Sequence, residues 1–521
     1  MKYKKKNIYQ KKFFNFRFNF YKESKTIDKN LLFVDRQRLD TTIQNSILTL
    51  SICEKKKFNA YILSDEDKNS LIIKTYKHLG FNRFIIGFNF KIFFSNFFLL
   101  FKSILLSLTC VINIHFRGFE WLIKSYKINN ILIGDLIYDT NIRFFHRYQK
   151  LSIDKYFVKL LIKSTFRTLI IEKYFNNYNF KAVIVGTEPY SFNSGIALRI
   201  AVYKNINTVT MSGYETLFLC LISYNKQIFN SGLFNIKSQN FKKFKSLKIS
   251  DKKLDNFYKK RLLRKIKSLY TIGIHKKINI SKKQRDYEII FFNKLKKINK
   301  KKILYASHTF SDAVHMTGVN YIFRDFYEQL ECTLKFLKNN QDCYWIFRPH
   351  PHSKYYLEEK IFKKTIESYK LKNAIYCPSY IEMKKLIKYS DCLVTGMGTA
   401  AVEFNAVSKK SVMCGYAPYS GLGISCYAKS KKKYYQLIKN FDRIDEINKK
   451  KQQLAKKVIF FLENKLNYKK SIDFNKLNDV EGKKFFQNAI NSNKEKLFKL
   501  GLSYLPGFKF KQIYRELYKI I

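Results

Sequence analysis

Proline and glycine are scarce in this chain, with six prolines and 18 glycines among 521 residues. That scarcity excludes collagen-like and low-complexity architectures, and a hydrophobic fraction of 46% is ample for packed cores. Acidic residues are scarce too. The 39 Asp+Glu face 99 Lys+Arg, for a formal net charge of +60. Such an excess suits an anionic partner: nucleic acid, acidic lipid headgroups or an anionic sugar. Lys, Asn, Ile, Phe and Tyr are abundant together, as A/T-rich codons would produce, so compositional drift is taken as the main cause. No pair among the nine cysteines has CxxC spacing, and Cys220, Cys392 and Cys414 sit inside apolar runs. This pattern fits buried thiols in a reducing compartment, not a disulfide frame or a zinc site. The basic start, Met1 to Lys6, is followed by no signal-peptide core. One long apolar stretch stands out, Ile92–Ile114, and Lys102 lies in its middle. A central lysine is costly in a spanning helix, so an amphipathic or buried helix is expected, and attachment to an anionic inner-membrane surface is the alternative to a helix packed only within the fold.

A chain of this length calls for more than one core. Apolar runs alternate with helix-forming stretches in both halves. In the first half, strands are expected at Leu31–Asp35, Tyr61–Asp65, Phe84–Ile86, Ile131–Asp135, Ala182–Val185 and Thr208–Met211. After a lysine-dense helical segment the pattern restarts, with strands at Ile303–Ala306, Tyr344–Phe347, Ala374–Tyr376, Cys392–Val394 and Ser411–Met413. Strand–helix alternation argues for parallel sheets covered on both faces. The expected fold is α/β, with two Rossmann-like, doubly wound domains facing across a cleft and a helical, basic C-terminal tail. The expected boundaries are 1–235, a helical interdomain segment 236–300, a second domain 301–430 and a helical region 431–521.

The scarce residues are concentrated. Four of the six prolines (Pro349, Pro351, Pro378, Pro418) and four of the eight histidines (His308, His315, His350, His352) fall in overlapping segments of the second half. Arg348-Pro349-His350-Pro351-His352 follows the apolar run Tyr344–Phe347. Two prolines end a strand there, leaving an arginine and two histidines at its C-terminal end, where open α/β sheets bind ligands. Other strand-end loops converge on that edge: Ser307-His308-Thr309-Phe310-Ser311-Asp312, Cys377-Pro378-Ser379, Gly396-Met397-Gly398-Thr399, and Tyr419-Ser420-Gly421. Glycines let backbone N–H groups approach an anion, and Thr399 can cap the helix that follows. Glu403, one turn on, is placed to accept from ribose hydroxyls. Arg348 offers a planar cation for phosphate, and His350 a donor for a leaving group. In the first half, Ile133–Asp139 puts Asp135 and Asp139 just past a strand, and Gly186–Tyr190 puts Glu188 at another strand's end. Each carboxylate is a candidate general base, and each could equally be a cap or, near Arg143, an ion-pair partner.

These residues resemble those of GT-B type bacterial capsule and surface-polysaccharide glycosyltransferases, including capsular Kdo transferases. They are more distantly similar to CDP-glycerol glycerophosphotransferases. Three motifs carry the resemblance: Leu304–Phe310, Arg348–Pro351, and Cys377–Ser379 followed by Ser390–Gly396 and Gly398–Glu403. It implies a nucleotide-sugar donor on the second domain, with the family's donor contacts matched by His350, Gly398, Thr399 and Glu403; the loops themselves add His308, Thr309, Asp312, Arg348, Gly396 and Ser420 as candidate donor-binding residues. It implies a glycan or glycolipid acceptor on the first, where the residues themselves offer Asp135 as the foremost candidate base and Asp139 and Glu188 behind it. It implies inverting transfer with no metal and no cofactor, at the cytoplasmic side of the membrane. The Asp-Tyr-Ser-Ser signature of the glycerophosphotransferases is replaced by Thr395–Thr399, which favours sugar over polyol-phosphate transfer. A basic nucleic-acid-binding protein is the rival from another class. Lysines spread along the whole chain, with no recognisable module, count against a nucleic-acid partner.

Overall fold

Short apolar runs rich in β-branched and aromatic residues form strands that helices cover on both faces, so the side chains of the central strands are largely buried. The computed structural model describes residues 29–35, 57–65, 80–86, 90–186, 190–192, 194–211, 218–219, 221–224, 241–262, 281–315, 321–464 and 468–469, with scattered positions between them. These residues fall into two compact units. One lies within Met1–Thr140, Ser152–Phe229 and Leu466–Ile521, the other within Asn141–Leu151 and Asn230–Lys465.

The first unit contains β1 (Asn30–Val34), β2 (Asn59–Ser64) and β3 (Arg83–Ile86), then a small antiparallel pair, β4 (Lys127–Ile128) with β5 (Ile131–Leu132). β6 (Phe180–Gly186), β7 (Asn207–Met211), β8 (Phe218–Leu219) and β9 (Leu221–Tyr224) follow. The main sheet runs β3-β2-β1-β6-β7-β9, parallel except for β9 at its edge. Helix Phe97–Ser125 packs beside helix Lys155–Asn177, which Asp154 caps by accepting from the N–H groups of Tyr156 and Phe157. The stretch Ile131–Asp135, expected as a sheet strand, is corrected. Only Ile131–Leu132 is extended, paired to β4, and Gly134 opens the helix Gly134–Phe145. A Cβ at Gly134 would overlap the Leu122 carbonyl, so the helix starts where its backbone crosses that of its neighbour.

The second unit repeats the plan with β10 (Lys302–Ala306), β11 (Tyr344–Arg348), β12 (Ala374–Tyr376), β13 (Cys392–Thr395), β14 (Lys410–Met413) and β15 (Cys426–Tyr427). All are parallel, in the order β12-β11-β10-β13-β14-β15. Counted from the first strand this is 3-2-1-4-5-6, the Rossmann order, and the strand order reverses between β10 and β13. The edge strand β15 carries no apolar run long enough to be read from sequence. The segment expected to link two domains belongs here: helix Asp251–Leu262 packs on helix Lys449–Asn464, and Glu288 of helix Lys282–Lys296 pairs with Lys385 at 2.6 Å. The expected C-terminal region divides as well. Its helices up to Asn464 join the second unit, while β16 (Tyr468–Lys469) pairs with β8 in the first, and residues 470–521 lie outside the described residues. Leu304 is fully buried at the middle of β10, between β11 and β13. Leu304→Ala should lower unfolding stability in a urea titration by about 2–5 kcal/mol, while an exposed change such as Lys300→Ala should leave it within about 0.5 kcal/mol.

Candidate functional site

The loops after β10 and β13 leave the second sheet at the point where its strand order reverses, the place where open α/β sheets bind ligands. Ala306 and Thr395 end those strands in register, and the Thr395 hydroxyl donates to the Ala306 carbonyl at 2.8 Å. Beyond them, His308 fills the junction. Its ring lies flat on Phe326, with centroids 4.3 Å apart and planes 14° off parallel, and its Nε2 accepts from the Met397 N–H at 3.1 Å. Gly396 makes this possible: a Cβ there would come within 2.9 Å of the His308 ring and 2.7 Å of Phe326. The Nε2 acceptor role leaves the ring proton on Nδ1. Although one ring edge keeps some solvent contact, close packing strips most of its hydration and pushes its pKa down to about 4, so the ring is neutral near pH 7.

His350 follows the neighbouring strand and stands parallel to His308, with ring centroids 6.3 Å apart and planes 6° from parallel. Its Nδ1 accepts from the His352 N–H at 3.2 Å, which puts its proton on Nε2. Burial lowers its pKa well below the usual range, and repulsion of its protonated form by His308 and His352, when these are themselves protonated, and by the Arg348 cation adds to that shift. Two neutral imidazoles, each with one N–H, thus stand side by side at the strand ends. His352 joins them edge-on at 5.2 Å, while His315 bonds the Arg324 carbonyl and takes no part. Among the described residues no three metal-ligating side chains converge to hold an ion.

Glu358 anchors this edge from below. Fully buried, it accepts from the Phe310 and Ser311 N–H groups at 2.8 Å each and so fixes the loop that carries His308, Thr309 and Asp312. Burial raises its carboxyl pKa despite those donors. Thr309 is buried inside the loop, and Asp312 is exposed on it. Sequence reading missed Glu358, whose only signal is an acidic residue in the first turn of an amphipathic helix.

Several expected ligand contacts are committed elsewhere. The Arg348 guanidinium is buried and donates to the carbonyls of Ile381 (3.2 Å) and Ser379 (2.9 Å), so it clamps the loop after β12, and the expectation of a cation facing the donor phosphates is corrected at this residue. Glu403 pairs with Arg261 at 2.8 Å, and the same guanidinium reaches Glu463 at 3.3 Å. The ribose-contacting role expected for Glu403 therefore competes with a buried ion pair. Thr399 makes no side-chain cap to helix Ala400–Asn405, and that helix has only six residues, so the expected capped dipole is corrected as well. Gly398 lies 3.3 Å (at its Cβ position) from His308 Nε2, and its carbonyl accepts from Tyr419 at 2.6 Å. Ser420 is buried and accepts from the Ala417 N–H at 2.8 Å, closing the loop beside it.

In the first unit, Asp135 lies in the first turn of its helix, buried, with both carboxylate oxygens on Arg199, not on Arg143. Arg143 stacks over Tyr356 instead and bonds its hydroxyl at 2.9 Å. Both Asp135 carboxylate oxygens are thus committed to the Arg199 guanidinium within the fold. Asp139 is fully buried one turn on, and Glu188 lies outside the described residues. Asp35 and Asp65, not singled out in sequence, end β1 and β2 at the carboxyl edge of the first sheet. Asp35 accepts from Ser64 (2.9 Å) and Tyr76 (2.7 Å), and Asp65 pairs with Arg167. The signal was available: both apolar runs terminate in aspartate.

No family model matches the chain, and no curated protein matches it. Solved structures similar to it include the beta-Kdo 2,7 transferase KpsC of Thermosulfurimonas dismutans, at 13% identity over 67% of this chain and 91% of that one, with a TM-score of 0.33. They also include a glycosyltransferase of Rickettsia africae, at 12% identity over 94% and 97% (TM-score 0.24). A UDP-GlcNAc 2-epimerase of Neisseria meningitidis matches at 10% over 83% and 98% (TM-score 0.24). Likenesses this loose carry no argument about activity, which has to come from the residues themselves.

Two outcomes test the geometry. His308 has a folded pKa below its unfolded value of 6.5, so the unfolded chain binds more protons between pH 6.5 and 4 and stability falls as pH drops through that window. Urea midpoints at pH 7 and pH 5 should show His308→Gln relieved of about 1–2 kcal/mol of acid sensitivity relative to the parent. Arg199→Ala should cost about 3–5 kcal/mol in the same titration, because it strands Asp135 in the interior.

Proposed function

We propose that this protein is a nucleotide-sugar-dependent glycosyltransferase of capsule or other surface-polysaccharide assembly, with the donor's phosphates held at the carboxyl edge of the second unit's sheet. The observation that carries the reading is the parallel pair of neutral imidazoles, His308 and His350, set at and beside the point where a 3-2-1-4-5-6 sheet reverses order. Neutral N–H donors fixed by packing are suited to a leaving phosphate, since they stabilise charge as it develops without having to reorganise.

In the proposed reaction an acceptor hydroxyl oxygen attacks the anomeric carbon as the bond from that carbon to the phosphate oxygen breaks. The bonding pair leaves with the nucleotide, and a carboxylate takes the hydroxyl proton. The result is inversion at the sugar. His350 Nε2–H faces the departing oxygen, His308 sets the loop that carries Gly396–Thr399, and Arg348 holds the histidine turn against its neighbour. With both its oxygens on Arg199, Asp135 is not assigned as that carboxylate. All eight cysteines among the described residues are free thiols, which suits a cytoplasmic enzyme.

Melting the full chain with UDP-, CMP-, GDP- and CDP-linked sugars should raise Tm with one nucleotide class. His350→Ala should keep the unliganded Tm and cut transfer from that donor by about 100-fold or more. Transfer by the variant at the parental rate, or no donor shifting the parent's Tm, would sink the assignment.

A further inference from the structure

Helix Phe97–Ser125 is packed inside out. A helix on the surface of a water-soluble domain turns its large apolar side chains inward and its polar ones outward. Here Ser103, Ser107 and Cys110 are buried against the fold, with Ile114 beside them, while Phe98 (87% exposed), Phe101, Leu105, Leu108, Ile112 and Phe116 (78%) face outward. These six recur at intervals of three and four residues, so they form one continuous stripe. Soluble monomers rarely leave a patch of this kind uncovered. The Ser103–Ser107 spacing, with small residues at the helix–helix contact and bulky ones outside, is the arrangement that suits a lipid neighbour.

Charge says which occupant covers the stripe. Lys102, Arg117 and Lys124 are exposed around it, and the helix has one acidic residue, Glu120, which is paired with Lys124 at 3.0 Å. The chain as a whole is +60. A second copy docked face to face would oppose cations to cations, whereas anionic headgroups would neutralise them. The helix is also the one among the described residues long and apolar enough to cross a bilayer. Its inner face, however, is occupied by helix Lys155–Asn177, which carries Lys155, Lys159, Lys163 and the Arg167–Asp65 ion pair. That partner cannot follow it into hydrocarbon without exposing charge there. Gly118, at φ 73°, breaks the helix, and beyond it Leu122 and Ile123 turn back into the core.

We propose that the outer face of helix Phe97–Ser125 lies in the plane of an anionic bilayer surface, with Phe98, Phe101, Leu105, Leu108, Ile112 and Phe116 in the acyl boundary and Lys102 at headgroup level. Attachment of this kind buries one helical face and needs no spanning segment. It is independent of the transferase reading and stands or falls separately.

The test is flotation of the full chain with phosphatidylcholine vesicles containing about one-third phosphatidylglycerol. The parent should float, with binding several-fold weaker on pure phosphatidylcholine or in high salt. The triple variant Phe98→Ser, Phe101→Ser, Leu105→Ser should float at least about tenfold less while melting at the parental temperature, since all three side chains are exposed. Alkaline carbonate should strip the parent from membranes. A parent that stays unbound, a variant that floats like the parent, a dimer dissolved by the same substitutions without flotation, or carbonate-resistant insertion would each overturn the proposal.

Discussion

At the reversal point of the second sheet, one ring occupies a space that only glycine leaves open. His308 lies between the face of Phe326 and the backbone at Gly396, and it takes the Met397 N–H as its acceptor contact. That contact ties the loop after β10 to the loop after β13. It fixes which nitrogen carries the proton, and the desolvation that comes with it keeps the ring neutral. The parallel His350 ring inherits its surroundings from the same packing. Adding one methyl group at position 396 would push the imidazole aside and, with it, the whole arrangement.

The scarcity of carboxylates shapes the rest. In a chain so rich in lysine, the buried acids act as struts. Glu358 holds the His308 loop, and Glu359 holds Ser379 through both its N–H and its hydroxyl. Asp135 anchors Arg199, and Glu403 with Glu463 anchors Arg261. Burying an acid without a partner is costly, so each interior carboxylate finds donors, and those donors are then unavailable to a ligand. This is why Glu403, attractive as a ligand contact on spacing alone, is occupied within the fold, while Arg348 is occupied by backbone carbonyls. The histidines escape that fate because a neutral imidazole can be half-buried without a countercharge.

Apart from the edge strand β15, the strands of the second half were legible nearly residue for residue, because β10, β11, β13 and β14 are apolar runs buried on both faces and bounded by turn residues. The convergence of the loops after β10, β11 and β13 followed from parallel topology. The first half was less legible at Ile131–Asp135. An apolar run with an aspartate at its end reads as a sheet strand, yet Gly134 lets the backbone pass against Leu122 and start a helix instead. Likewise the stretch from residue 92 was expected to be an amphipathic or buried helix. It is amphipathic with its faces exchanged, which periodicity cannot reveal, because a hydrophobic stripe has the same spacing whether it faces a core or a solvent of lipid.

By itself the sequence determined the α/β class, the positions of most strands and the concentration of histidine and proline at one sheet edge. All of these follow from local pattern and from stereochemistry that a neighbour cannot change. Only the tertiary structure decided which of those side chains meet. Whether a guanidinium points at a ligand or at a carbonyl, whether a carboxylate is free or paired, and which face of a helix is buried all depend on residues distant along the chain. Ser379 and Ile381 for Arg348, Arg261 for Glu403 and Arg199 for Asp135 are chosen by packing in three dimensions, and no local spacing encodes that choice.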